Sequence, residues 1–240
     1  MKQSHFICTD QDLALFDIFP SFMEFLENLN IEIENENFYD FKHTYYDSCS
    51  KKFLHNGGYC RKTTYYLPDK TEQEGYLYEY RRHKKAPTLR FNENAKLTSE
   101  ELSKVFGVNS TLIKPVRFSG HSYTASLTHK TRSALYYPHL DFVVQSGTIE
   151  DKYHGTSCDA TFFSLVDTSA KEYNNYISNS ISDRTDRIMA LFNRFMSHYN
   201  LESISSNRYA ELESRVTAES NNTDTADSSD SSDTADSSNN

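Results

Sequence analysis

The residues that could do chemistry lie on short segments where charged and aromatic side chains alternate. Gly75-Tyr76-Leu77-Tyr78-Glu79-Tyr80-Arg81-Arg82 is the plainest of them. Successive side chains of an extended strand point to opposite faces, so Leu77, Glu79 and Arg81 share one face and Tyr78, Tyr80 and Arg82 the other. Arg61-Lys62, Lys42-His43 and Thr131-Arg132-Ser133, with Asp141 further along, repeat the mixture of bases and acids. If a sheet encloses such faces, the bases bind phosphate oxygens and the carboxylates hold a bridging Mg²⁺ or Mn²⁺. Taken one strand at a time, the plainer reading is a solvated face or a cross-strand ion pair worth about 0–1 kcal/mol.

Positioning such residues takes a large sheet, and the pattern supplies one. Phe38–Cys49, Gly58–Leu67, Gly75–Arg82, Thr88–Asn92, Thr111–Phe118, His121–His129, Thr131–Gln145 and Thr156–Asp167 are rich in Tyr, Phe, Thr and Val, and turn residues bound them. Short links between successive strands predict antiparallel pairing. Three helical regions accompany them. Asp12–Asn30 carries apolar residues at threes and fours and is interrupted by Pro20. Thr98–Val105 is short and capped. Ala170–Tyr199 is long, with Ser169 and Glu172 spaced as a capping box and a stripe through Tyr173, Ile177, Ile181, Ile188, Leu191, Phe192 and Phe195. The fold class expected is α+β: an antiparallel, tunnel-like β-barrel with helices packed outside.

Of 240 residues, 25 are Lys or Arg and 34 are Asp or Glu, a net charge of −9. Six of the acids and no base lie between Val216 and Asn240, which leaves 28 acids against 25 bases in Met1–Arg215. The acidity is therefore mostly that of a tail and says little about what the domain binds. With Asp at every third position among Thr, Ala and Ser, Val216–Asn240 is expected to be disordered, after a single domain over Met1–Arg215. No apolar run approaches the roughly 18 residues of a membrane helix, and no secretory leader follows Met1. Cys8, Cys49, Cys60 and Cys158 form no C-x-x-C pair and read as thiols of a reducing, cytoplasmic compartment.

Other chemistry is thin. Tyr137-Pro138-His139-Leu140-Asp141 resembles the P-H-x-H strand of rolling-circle nucleases, with Asp141 where the second His would stand, so nucleic-acid nicking or replication initiation is a remote alternative. A buried strand carrying one His is the simpler reading. No phosphate-binding loop and no nucleophile elbow occurs. Arg81-Arg82-His83-Lys84-Lys85 is the densest basic run, by default a solvated turn.

The order of the segments resembles the CYTH, or triphosphate tunnel, superfamily over about Ser4–Leu212. Thr44-Tyr45-Tyr46-Asp47-Ser48 is similar to its T-Y-Y/F-D-T motif, Cys60-Arg61-Lys62-Thr63 to its L-R-x-R strand and Tyr78-Glu79-Tyr80-Arg81 to the strand that follows. Lys130-Thr131-Arg132-Ser133 with Asp141 resembles the K-x-R … D element, and Ser206-Asn207-Arg208-Tyr209 the S-K-Y ending. The resemblance implies that a triphosphate-bearing or polyphosphate ligand, an RNA 5′ end included, binds inside the tunnel. Arg61, Lys62, Arg81, Lys130, Arg132 and Arg208 would contact phosphate. Glu79, Asp141 and Asp167 would hold Mg²⁺ or Mn²⁺, and Glu79 and Asp141 would serve a metal-dependent phosphohydrolase. The family's opening E-x-E-x-K is not matched, since Lys2, Ser4 and Phe6 stand there, and the literal Glu32, Glu34, Glu36 series follows the helix it should precede. Loss of those acids makes a catalytically inactive polyanion-binding module the alternative.

Overall fold

The computed structural model describes residues 2–66, 75–93, 95–129, 139–168, 175–205 and 208–227. In chain order these form β1 (Gln3–Cys8), α1 (Gln11–Leu13), a π-helical turn (Ala14–Ile18), α2 (Phe19–Asn28), β2 (Ile31–Tyr46), α3 (Lys52–His55), β3 (Tyr59–Tyr66), β4 (Gly75–Arg81) and β5 (Leu89–Glu93). Then come α4 (Ser99–Val105), β6 (Val116–His129), β7 (Leu140–Asp151), β8 (Ser157–Asp167), α5 (Asn175–His198), β9 (Glu202–Ser203) and α6 (Arg208–Asp227). All nine strands belong to one antiparallel sheet in the order β5-β4-β3-β2-β6-β7-β8-β1-β9. The α+β class and the antiparallel sheet are as expected. The pairing does not close: β5 and β9 are its two ends.

The sheet is nonetheless strongly curved, because side chains from strands that are not neighbours meet on one face. Gln145 of β7 reaches His43 of β2 across β6 at 3.2 Å. The rings of Phe118 on β6 and Phe162 on β8 lie 5.1 Å apart. Gly120 and Gly147 face one another across β6 and β7, and a Cβ on either would come within 2.0 or 2.1 Å of a carbonyl oxygen of the opposite strand. Only glycine permits backbones to approach this closely, as bends in long strands require.

Three apolar clusters fix the layers. On the outer face of β1, β6, β7 and β8, α2 and α5 supply Phe22, Leu26, Phe192 and Met196 against Phe6, Phe142 and Leu165. Pro20 stands in the first turn of α2, just past the π-helical turn, where its missing donor is tolerated. On the outer face of β3 and β4, Tyr76, Tyr78 and Tyr80 pack with Leu102 of α4, whose Thr98–Glu101 capping box is complete. The third cluster lies on the inner face of the sheet. Tyr209, Leu212 and Val216 of α6 are fully buried against Ile7, Phe41, Tyr45, Phe118 and Phe162 on the inner face.

Other sequence expectations shift as well. The segments expected as Thr111–Phe118 and His121–His129 are the single strand β6, since its pairing runs unbroken through Gly120. Residues 216–227 of the segment expected to be a disordered tail continue α6, and Val216 is buried. Residues 228–240 and the Ser169/Glu172 capping box lie outside the described residues. No helix of the described residues is long and apolar enough to cross a membrane.

One buried carboxylate ties these parts together. Asp47 is wholly inaccessible and accepts hydrogen bonds from the backbone N–H of Ser48 (2.7 Å), Phe53 (2.9 Å) and Leu54 (3.0 Å) and from the Tyr209 hydroxyl (3.1 Å). It thereby fastens the end of β2 to α3 and to α6. Asp47→Ala strands four buried donors, each costing about 1–3 kcal/mol if unsatisfied, so the expected loss of stability is about 3 kcal/mol or more. Denaturant unfolding should show it as a lower midpoint, and a loss under about 1 kcal/mol would contradict this role.

Candidate functional site

The inner face left uncovered by α6 encloses a cavity of about 380 Å³. Strand alternation selects its lining. On β4, Tyr76, Tyr78 and Tyr80 go to the outer core, which turns Leu77, Glu79 and Arg81 inward, as the sequence pattern predicts. On β3, Arg61, Thr63 and Tyr65 turn inward. Arg90 of β5 and Arg208 at the start of α6 complete four arginines around one space, with His5 of β1, His43 of β2 and Gln145 of β7. Tyr39, Tyr45, Tyr59 and Tyr209 supply the aromatic wall.

Among the described residues one carboxylate, Glu79, pairs with two of the four guanidinium groups. Glu79 is 1% exposed; Arg61 donates to its Oε2 from Nε at 2.8 Å and from Nη2, and Arg90 reaches its Oε1 at 2.7 Å. Burial alone would raise the Glu79 pKa, but the two guanidinium groups override it and hold the carboxylate below its usual range. Burial also opposes charge on Arg61, yet Tyr45 and Glu79 leave it firmly protonated.

Arg208 is held by neutral groups. Its Nη1 donates to Gln145 Oε1, its Nη2 donates to Ser164 Oγ at 2.6 Å, and the guanidinium lies 5.1 Å over the Phe162 ring. Among the described residues it meets no carboxylate. Burial, with the nearby Arg61 charge, pushes its pKa down to about 10.

Two histidines extend this hub, and the neighbours of His43 fix its tautomer. Gln145 spends its oxygen on Arg208, so its Nε2 donates to His43 Nε2; the His43 proton then sits on Nδ1 and is donated to Thr63 Oγ1 at 2.8 Å. Ser164 Oγ accepts from Arg208 and lies 2.9 Å from His5 Nδ1. His5 Nε2 is buried without a hydrogen-bond partner, and so is Nε of Arg81. Both residues line the cavity, so at least one donor there, the Arg81 Nε–H, lacks an acceptor among the described residues. Burial first, then neighbouring arginines, keep both rings neutral: His43 well below its ordinary value, His5 down to about 4.

Of the residues expected at phosphate, the structure brings together Arg61, Arg81 and Arg208. Lys62 is corrected to the outer face: it alternates with Arg61 and places its ammonium 5.2 Å from the Tyr76 ring centre. Lys130 and Arg132 lie outside the described residues. The acids expected to hold a metal do not converge. Both oxygens of Glu79 are engaged by arginine. Asp141 shares the inner face with Gln145 but sits four residues away, about 13 Å along the strand, where it accepts from Ser126 Oγ at 3.0 Å. Asp167 alternates with the cavity residue Val166 and so faces the other way. The β-bulge between Glu34 and Asn37 turns Glu32 and Glu34 inward, opposite Thr128 and Ser126, again away from the cavity lining. Among the described residues no three of His, Cys, Asp and Glu gather as a metal would need. His139, the remaining residue of the nuclease-like strand, is exposed at the start of β7.

Sequence reasoning singled out Lys42-His43 as a charged pair but gave His43 no role, and it missed Arg90, His5, Gln145 and Ser164. Alternation about Arg61 and Arg81 could have flagged Arg90 and His43 on flanking strands, but nothing local marks the other three.

Fold and site together define an α+β protein with a curved antiparallel sheet around a cationic cavity. No family model matches the chain, and neither does any curated protein. It is similar in structure to the PH1819 protein of Pyrococcus horikoshii, at a TM-score of 0.48 and 10% identity over 91% of this chain and 99% of that one. A candidate adenylate cyclase from Vibrio parahaemolyticus gives 0.43 and 11% over 89% and 97%. The Hippeastrum protein HpAC1, described as a candidate adenylyl cyclase with a dominant triphosphatase activity, gives 0.40 and 7% over 88% and 95%. Likenesses of this depth leave substrate and activity to be argued from the site.

The neutral histidines carry a pH dependence. The folded state keeps His5 neutral down to about pH 4, whereas an unperturbed His protonates near 6.5. On acidification the unfolded chain therefore takes the proton first. This stability is present above pH 6.5 and is lost as the pH falls from there towards 4. An NMR titration should place the His5 midpoint near 4, with unfolding free energy declining over the same window; a midpoint near 6.5 would contradict the buried Arg208–Ser164–His5 arrangement.

Proposed function

We propose that the chain binds a triphosphate- or polyphosphate-type anion in the cavity, and that binding by arginine, not hydrolysis through a metal held by Glu79, Asp141 and Asp167, is the work of this site. The observation that carries the reading is the imbalance of charge among the described residues: four arginines line the cavity, and the one carboxylate paired with them, Glu79, is already occupied by two. The buried Nε–H of Arg81, without an acceptor among the described residues, supports it. A phosphate oxygen accepts from several donors at once, and a guanidinium presents two in the plane that phosphate favours. Arg208, which has only neutral partners, is the residue best placed to gain from an anion. The start of α6 beside it adds the positive end of a helix dipole.

Mg²⁺ or Mn²⁺ does not fit the acids expected to hold it. Glu79 would have to abandon two arginines, and the other two acids lie away from the cavity. Glu79 acts here as a positioning residue that sets the direction of Arg61 and Arg90.

Inorganic tripolyphosphate with excess chelator should therefore stabilise the protein against heat, by about 2.7 kcal/mol at a hundred times Kd. Arg208→Ala should weaken binding about 10- to 100-fold, the equivalent of one lost charge-assisted bond. Absence of any shift would refute the reading. Release of phosphate that needs Mg²⁺ or Mn²⁺ and disappears in Glu79→Ala would restore the hydrolase.

A further inference from the structure

The outer face of the sheet is only partly covered by α2 and α5. Beside them, on the face opposite the cationic cavity, lies a groove of about 750 Å³. Its floor is the outer side of β2, β6, β7 and β8, with Tyr123 and Val144 as its apolar part. Leu15 of the π-helical turn and Phe38 of β2 are its exposed apolar walls, and Phe16, the residue after Leu15, is 78% exposed. Large apolar side chains left in water beside a concavity mark an interaction surface. The sign of the charge here is the reverse of that inside. Residues 6–41, which supply both walls, hold nine Asp or Glu and no Lys, Arg or His. Asp10, Asp12 and Asp17 are exposed on the helical side, and Asp40 on the strand side. Among the described residues no Lys or Arg lines the groove. Asp40 meets the His121 ring at 2.6 Å, and Asp159 of β8 accepts from the Thr148 hydroxyl at 2.7 Å. Lys42 and Arg117, further along the same face, act on Glu150.

We propose that this outer groove is a docking site for a basic amphipathic helix of a partner protein. Charge selects the partner. Nucleic acid, an anionic membrane surface and the acidic residues that follow α6 would all be repelled by the carboxylates here. A segment with Lys or Arg beside Leu or Phe gains ion contacts at Asp40 and Asp159 and buries its apolar side chains on Leu15, Phe38 and Tyr123. Strand pairing selects the form. β2, β6, β7 and β8 each have a neighbour on both sides, so the floor offers no free edge to an added strand. An extended segment would lose the hydration of its backbone there without regaining hydrogen bonds, whereas a helix satisfies its own. The size agrees as well. From β2 to β8 is three strand spacings, about 14 Å, which is the length of about nine residues of helix. The site is separate from the cavity, and its occupation does not depend on what the cavity binds.

The probe is a synthetic peptide of Leu and Lys, about four turns long, with its leucines at helical spacing. Two controls accompany it: the same pattern with Glu for Lys, and the same composition with Leu at alternate positions. Binding to the full chain is followed by fluorescence anisotropy, for wild type, Leu15→Ser/Phe38→Ser and Asp40→Asn/Asp159→Asn. All four side chains are exposed, so the melting temperature of both variants should be nearly that of wild type. The helical Lys peptide should bind wild type. Loss of the two apolar walls should weaken it at least about tenfold at any salt concentration. Loss of the two carboxylates should weaken it about fivefold at low salt and hardly at all at high salt. No binding to wild type, or binding that both variants retain in full, as attraction to the acidic residues after α6 would give, overturns the site. Equal binding of the Glu peptide overturns its basic partner, and equal binding of the alternating peptide overturns the helix. Self-association of wild type in sedimentation that Leu15→Ser/Phe38→Ser abolishes would show a second copy to be the occupant and overturn the choice of partner.

Discussion

An excess of positive charge held inside a curved sheet is the constraint to which the rest of this molecule answers. Arginine cannot shed its proton at neutral pH, so each guanidinium withdrawn from water needs a partner. Glu79 serves Arg61 in this way and also pairs with the exposed Arg90. Arg208 is served by the dipoles of Gln145 and Ser164 and by the face of Phe162. The histidines, which can shed their protons, do so, and their neutral rings complete the hydrogen bonding without adding charge. An anion entering the cavity would relieve what these arrangements only moderate.

The same constraint links the site to the fold. Arg208 and Tyr209 are consecutive at the start of α6: the first is the hub of the cavity, and the second donates to Asp47, stacks on Tyr45 with ring centres 5.1 Å apart and opens the inner core. A helix placed inside the sheet could not be secured by apolar contact alone while its first residue carries a charge next to other charges. The hydrogen bonds of Arg208 and Tyr209 fix both its depth and its direction. Core and site are therefore not separable here, and loosening α6 would empty the cavity of its central cation.

What the sequence reveals is what alternation reveals. Leu77, Glu79 and Arg81 share a face because period two is a local property of β4, and Arg61 falls inward by the same rule. That rule also assigns Lys62 to the opposite face, a consequence hidden when adjacent Arg61 and Lys62 are read as one motif. Asp167 fails for the same reason, being one residue out of phase with Val166. Glu32 and Glu34 turn inward only because a bulge shifts the register of β2. Ser164, Gln145 and His5 belong to the site through pairings between distant segments, which no local pattern records. The burial of Val216, at the edge of the low-complexity composition, comes from its packing on the inner face, which composition does not record.

The most direct test is a crystal structure of the protein grown with tungstate, an electron-dense phosphate analogue, in the presence of chelator. Anomalous density among Arg61, Arg81 and Arg208, with Glu79 still paired to Arg61, is the result expected. Guanidinium groups turned out of the cavity, or tungstate bound elsewhere with the cavity unoccupied, would contradict the account.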